Sequence, residues 1–414
     1  MSETLIPAYY NTKINNHDWV IYMGGEKYFP AYPIKHTEPE PEYPNYLTFE
    51  ALEDGEIGWW THPDSDVEVH IFWSKDKESW TEFTQNDDTA DYISVSSGEN
   101  LYCRGINLDG VSGQYALDSD NCNGFVQNSG KWNIKGNIMS LIDYDNMATM
   151  TEMVGNFYYL FSDEDGFKRG KTIDIVNAVD LVLPATTLAS WCYYAMFKGC
   201  TNLTSAPSIL PATTLAEDCY YAMFEDCRSL TAAPELPATT LANDCYNGMF
   251  LGCSSLTTAP ELPATTLAGY CYGAMFQGCS SLITAPELPA TTLADSCYSY
   301  MFYGCSGLTT APELPATTLA NDCYSSMFRG CTNLTTAPEL PATTLAAYCY
   351  RGMFRNCSKL NYIKCLGVNG INQNNSTTNW VYGVASGGTF IKNQDATWTT
   401  GVDGIPTNWI VEDA

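Results

Sequence analysis

Seventeen cysteines are the first residues of this chain whose chemistry calls for an account. Fourteen fall in pairs eight residues apart, beginning with Cys192 and Cys200, a supply that could serve disulfides, a metal or simple packing. Zinc favours Cys and His clustered at short spacing, and the stretch that holds these pairs contains no His. A free Cys is otherwise a small hydrophobe that prefers the interior, so the pairs are read as buried thiol ladders rather than bridges or ligands. Other chemistry is thin. His62 and His70, with Asp64 and Asp66 between them, could hold a cation, but they equally describe a solvated strand and turn, and that reading is preferred. Asp118–Gly124 and Asp163–Gly166 are calcium-like in composition, yet lack the alternating oxygen ligands, the sixth-position Gly and the closing Glu. No G-x-S-x-G, phosphate loop or paired carboxylate in a cleft stands out. The chain is expected to be no enzyme, with no catalytic residue, no cofactor and no bound metal.

The elements that must position these residues come from seven copies of one unit, L-P-A-T-T-L-A-x-x-C-Y-x-x-M-F-x-G-C-x-x-L-T-x-A-P-E. Its first Cys falls at Cys192, Cys219, Cys245, Cys271, Cys297, Cys323 and Cys349, a step of 26 residues after a first step of 27 that Ile209 lengthens. A fixed period of this size means one supersecondary unit stacked on copies of itself, each too small to bury its apolar stripe alone. Leu188, Ala189, Cys192, Tyr193, Met196, Phe197 and Cys200 read as one face of a short helix. Thr186 or Thr187 would cap its start, and Gly199 suits a left-handed residue at its end. Thr201–Thr204 reads as a brief strand, and Pro207 and Pro211 bound the return. Strands pack more closely than helices, so the stack should bend with its strands inside.

The A-x-x-C-Y-x-x-M-F-x-G-C-x-x-L-T signature resembles the BspA-like leucine-rich repeats and the 26-residue repeats of bacterial surface proteins. The resemblance covers about residues 155–365. It implies adhesion or binding, with a β-rich domain ahead of the repeats and a Trp- and Gly-rich tail behind them. The expected fold class is α+β: an N-terminal β-sandwich, then a curved leucine-rich-repeat solenoid with a short strand and a short helix per coil, then a small C-terminal cap. Residues 1–44 form an attachment segment that ends in the stiff Glu38–Pro44 run of Pro and Glu. Residues 45–154 form the sandwich, in which Val67, Val69, Ile71 and Trp73 share one face of a strand over Asp66–Trp73. Residues 155–365 hold a degenerate leading repeat and the seven copies, and 366–414 the cap.

Charge narrows the partners. Forty-seven acidic residues against 19 basic ones leave a formal net charge of −28, which disfavours nucleic acid and anionic lipid. No run of 18 apolar residues exists to span a membrane. Met1–Pro7 lacks the basic and apolar segments of a secretory leader, while relatives of the repeat are commonly exported. That contrast favours a bacteriophage virion protein, a tail or head fibre made in the host cytoplasm, whose repeats touch a host-surface glycan or protein while residues 1–44 meet other virion proteins. A homo-oligomer is expected. The alternative is a bacterial cell-surface adhesin with its leader further upstream. Comparison of the seven blocks separates a fixed stripe from positions that vary. The candidate binding face takes Trp191, Tyr194, Tyr221, Tyr270, Tyr300, Tyr303, Arg329, Tyr348, Arg351 and Arg355 from those variable positions, a composition typical of recognition surfaces.

Overall fold

The computed structural model describes residues 21–23, 26–28, 45–62, 65, 67–86, 89–112, 123–153, 156–162 and 171–414. The chain divides into two units, Met1–Tyr43 and Pro44–Ala414. In the first, β1 (Ile21–Met23) pairs antiparallel with β2 (Glu26–Tyr28). The Pro/Glu run and the rest of the proposed attachment segment lie outside the described residues, as do Asp64, Asp66, residues 118–122 and residues 163–166.

The second unit opens with short strands: β3 (Leu47–Ala51), β4 (Gly55–Trp60), β5 (Ile71–Ser74), β6 (Thr81–Glu82), β7 (Gln85–Asn86), β8 (Thr89–Ala90), β9 (Ile93–Val95), β10 (Asn100–Gly105), β11 (Gly124–Ser129) and β12 (Trp132–Asn137). Two single 3-10 turns follow at Ile138–Leu141 and Met147–Thr149, then β13 (Ile175–Asn177) and β14 (Leu181–Val182). One sheet runs β13-β12-β3-β10-β5-β6 with β14 also on β12, and a second runs β11-β4-β9, while β7 and β8 pair with each other. Alternate residues of β10 and β12 are buried, the period-two signature of strands with one face on a core. Phe49 of β3 meets Phe125 of β11 edge-on at 4.7 Å, and Trp59 of β4 meets Phe125 at 4.9 Å, so the two sheets share that core. The strand expected over Asp66–Trp73 is confined to Ile71–Ser74. Asn107 reaches in to accept from the His70 amide and to donate to its carbonyl, so a side chain replaces strand pairing there.

The repeats overturn the expected fold class. Strand accounts for 23% of the structure and helix for 2%, and several small sheets are joined by turns, so the helix per coil and the curved α+β solenoid built on it are withdrawn. The hydrogen bonds give the reason. An α-helix requires each amide to find the carbonyl four residues back. Here the amides alternate. Those of Tyr193, Ala195, Phe197 and Gly199 donate to Cys219, Tyr221, Met223 and Glu225 of the next block, at 2.8–2.9 Å. Those of Tyr194, Met196, Lys198 and Cys200 donate only three residues back, at 3.0–3.3 Å. Every fourth residue is left-handed, Trp191 (φ 63°), Ala195 (φ 48°) and Gly199 (φ 74°), and the same places recur as Tyr270, Ala274 and Gly278 in the fourth block. A right-handed helix cannot run through such residues. Thr186 caps nothing; its hydroxyl donates to the Thr151 carbonyl. The strand expected at Thr201–Thr204 is absent too. Parallel contacts between blocks reduce to single bridges such as Thr187↔Thr214 and Thr240↔Thr266, flanked by prolines that have no amide to donate. With no helix on one side, the spacing mismatch that should have bent the stack does not arise.

What the blocks bury is nonetheless continuous. A tyrosine column runs from Phe157 through Tyr193, Tyr220, Tyr246, Tyr272, Tyr298, Tyr324 and Tyr350 to Trp380, with ring centroids 5.5–6.2 Å apart. A parallel phenylalanine column runs from Phe197 to Phe354 at 5.3–5.8 Å. Phe161 joins this column to the sheets, lying 5.2 Å from Phe197 and 6.0 Å from Phe49. Beyond the seventh block the ladder continues into residues 366–414, where Tyr350, Gly352 and Phe354 donate to Ser376, Thr378 and Trp380. There β15 (Tyr362–Cys365), β16 (Thr389–Lys392) and β17 (Ile410–Asp413) form a parallel sheet. Among the described residues no helix is long and apolar enough to cross a membrane.

Candidate binding ribbon

The alternation of amides creates the site. Residues whose amides bond to the next block, the left-handed Trp191, Ala195 and Gly199 among them, hold the block in register; the turns between them leave Tyr194 and Lys198 partly exposed while Met196 and Cys200 stay buried. Because neighbouring blocks are hydrogen-bonded, equivalent positions form columns one strand spacing apart, about 4.8 Å. Three columns vary: the residue before the first Cys, the residues after Cys-Tyr, and the residue after Met-Phe.

In the upstream blocks these columns carry acids and stacked aromatics. The Trp191 indole donates to Asp218 at 2.8 Å. Tyr194 and Tyr221 lie face to face at 4.7 Å and 2°, and Tyr159 continues the row at 5.8 Å from Tyr194. Lys198 pairs with Glu225 across the block boundary at 3.6 Å. Asp218 is half-buried, and burial raises its pKa to about 6; the Trp191 hydrogen bond opposes the rise, while Asp244 and Glu217 add to it. Asp244 is raised as well, by burial first, with Asn247 opposing.

In the downstream blocks the same columns carry arginines on tyrosines. Tyr300 and Tyr303 lie 6.1 Å apart, and Arg329 sits 5.2 Å from the Tyr303 ring centre. Arg351 lies over Tyr348 at 5.1 Å, reaches Asp322 at 3.4 Å and donates to the Ser325 hydroxyl at 3.3 Å. Arg355 lies over Tyr382 at 5.2 Å. The ten residues expected on one face thus fall into two clusters, Trp191 with Tyr194 and Tyr221, and Tyr300, Tyr303, Arg329, Tyr348, Arg351 and Arg355. Tyr270 stands between them, half exposed at 50%. Sequence reasoning missed Asp218, Asp244 and Tyr382. The two acids occupy the same column as Trp191, and Tyr382 is the partner that the next winding of the ladder brings to Arg355, signals visible once register is counted past the last perfect block.

The sulfur chemistry is structural. All described cysteines are buried free thiols. Cys227, Cys253, Cys279, Cys305, Cys331 and Cys357 each donate to the Phe carbonyl of the block before, at 2.9–3.2 Å. Burial pushes the thiols up, to about 12 at Cys271 and Cys305, so they stay protonated and are poor nucleophiles or ligands. No cluster of three or more metal-ligating side chains occurs among the described residues. His70 instead pairs with Glu82 and with Glu68 at 3.4 Å, and its pKa is raised by the Glu82 hydrogen bond first. No family model matches the chain, and neither a curated protein nor a solved structure matches it.

Proposed function

We propose that this chain is a non-catalytic recognition protein whose variable ribbon binds an extended ligand displayed on a cell surface. The observation that carries this reading is where the aromatics sit. Trp191, Tyr270, Tyr300 and Tyr348 all occupy left-handed backbone, with φ between 53° and 63°. Other blocks make the same turns with Asp218, Asp244, Ser296 and Asp322 before the first Cys, and with Ala195, Ala222, Gly248, Ala274, Ser326 and Gly352 at the Tyr300 place. Gly, Asn and Asp tolerate this conformation, whereas a bulky residue there costs about 1–2 kcal/mol. The buried columns do not require the aromatics, since the turn forms without them. Strain held at solvent-facing residues is a mark of selection for contact rather than for folding. Tyr and Trp also offer contact area at low entropic cost.

Changing Tyr270→Asn, Tyr300→Asn and Tyr348→Asn together tests this. Asn accepts left-handed backbone, so the urea midpoint should hold or rise, while binding on a mixed array of glycans and cell-surface proteins should fall at least tenfold. Unchanged binding would place the site elsewhere. A virion appendage and a cell-surface adhesin would use such a ribbon alike, and co-purification with particles would separate the two.

A further inference from the structure

The last blocks hold a charge arrangement that no described residue compensates. Arg329 and Arg355 occupy the same column on hydrogen-bonded neighbours, where the Gly330 amide donates to the Arg355 carbonyl at 2.8 Å. Both are half-buried, and among the described residues neither has an ion-pair partner. The Arg355 Nε–H is shielded from solvent and unpartnered. The third arginine of the cluster, Arg351, faces the single carboxylate of Asp322. Like charges directly opposite on paired backbones are destabilising, and a desolvated charge is costly unless it is matched. Elsewhere the same column is either matched, as Lys198 is by Glu225, or neutral, as at Leu251 and Gln277. In a chain of net charge −28, the unmatched pair is therefore an exception to the chain's own pattern. At physiological salt, charges more than about 8 Å away are largely screened, so the local cations decide what binds here.

We infer that Arg329, over Tyr303 of the preceding rung, and Arg355, over Tyr382 of the following one, form a subsite for the carboxylates of acidic sugars, uronic or sialic acids within a surface glycan. A guanidinium carries a planar fork of donors that matches a carboxylate in a bidentate pair, and each of these lies over a ring, its carbon 5.2 Å from the ring centre. Tyr300 stands 6.1 Å from Tyr303 and is exposed, and its ring suits the C–H face of a pyranose. This subsite rests on the reading of the ribbon as the binding face.

The full chain should be applied to an array of matched acidic and neutral glycans that covers uronic and sialic acids, alongside the Arg329→Gln/Arg355→Gln double variant. Arg228→Gln, which removes an exposed arginine outside the variable columns, serves as a charge control. The expected result is at least tenfold preference for one or more acidic members over their neutral counterparts, lost in the double variant and kept in the control. Binding to no acidic member would overturn the subsite, as would equal binding of acidic and neutral forms. Equal, Arg-dependent capture of dextran sulfate, RNA or anionic vesicles would also overturn it, since that is unselective anion binding. If neutral glycans bind in a Tyr270-, Tyr300- and Tyr348-dependent manner while the arginine double variant is unaffected, the ribbon stands and only the acidic subsite falls.

Discussion

The upstream and downstream halves of the ribbon share one backbone and one set of buried columns, yet carry opposite chemistry. Upstream, Asp218 and Asp244 occupy neighbouring rungs and hold their protons unusually tightly because they are half-buried. Downstream, Arg329 and Arg355 occupy neighbouring rungs of another column and rest on tyrosines. The difference teaches that in such a stack residues 26 or 27 apart in the chain, such as Trp191 and Asp244 around Asp218, shape the electrostatics of a site alongside sequence neighbours such as Glu217. Each rung is desolvated on the sides that face the rungs above and below it. A like charge one rung away is thus felt in a half-dry setting, and whether a column is matched, as for Lys198 and Glu225, or unmatched fixes its character.

The largest effect should come from the frame both halves share. Phe276 is fully buried at the middle of the phenylalanine column, stacked 5.7 Å from Phe250 and from Phe302. Phe276→Ala removes both contacts and leaves a cavity, an expected loss of about 3–5 kcal/mol. Nearest-neighbour coupling should pass that loss to both halves, seen as one lowered unfolding midpoint by circular dichroism and by tryptophan fluorescence. Two separated transitions would show that the halves fold independently, and the comparison would then be between two modules. Next in size is Gly278→Ala. Gly278 has φ 78°, and a Cβ there would meet nothing closer than the Gly252 backbone at 3.6 Å. Space is available and only the left-handed backbone is penalised, so the variant should lose about 1–2 kcal/mol, read as a lower urea midpoint.

That second prediction marks where the sequence could be read and where it could not. The period, the buried Cys, Tyr, Met and Phe, and the set of variable positions are legible because stacking repeats the same demand in every block. The helix was a misreading of spacing. Leu188, Cys192, Met196 and Cys200 are strictly four apart, and in an α-helix each such step over-rotates by about 40°, so the column would smear across about 120° over three steps. Four-residue spacing sustained this long, with Trp191, Ala195 and Gly199 at every fourth place between, fits a string of three-residue-back turns punctuated by left-handed residues. Local patterning alone does not distinguish the two, because which amides leave the block is decided only when the next block arrives. The same holds for the site: Tyr194, Tyr300 and Arg355 stand out by type, but the Asp218 and Asp244 pairing and the Tyr382 platform depend on inter-block register.

A smaller effect separates the halves by pH. Asp218 has a folded pKa of about 6, above the ordinary Asp value of about 3.9. Between those values the folded chain keeps a proton that the unfolded chain releases, so stability is present at low pH and declines as pH rises through about 6. Asp218→Asn removes that decline while still accepting from the Trp191 indole. At pH 7.5 the variant should be more stable by about 1 kcal/mol, after allowance for screening of a half-exposed group, and equal to the parent near pH 4. Urea midpoints at the two pH values decide it. A gain of the same size at both would trace the effect to packing and not to the proton.

The smallest effect concerns the tyrosine column, and it asks whether the two halves really rest on the same frame. The hydroxyls of Tyr193, Tyr220, Tyr246 and Tyr298 are shielded and make no hydrogen bond among the described residues. A buried hydroxyl without a partner is destabilising, whereas replacing it with an apolar group of the same shape is neutral or favourable. Phe157 already fills the equivalent place in the leading coil, 5.9 Å from Tyr193, so the column accepts Phe. Tyr220→Phe, upstream, and Tyr298→Phe, downstream, should each hold or raise the urea midpoint by an amount on the order of 0–1 kcal/mol, and by the same amount. Equal gains would fix the contrast between acid and arginine wholly in the exposed columns. A loss at one position alone would show that its hydroxyl is satisfied there, and that the interior, like the surface, differs between the halves.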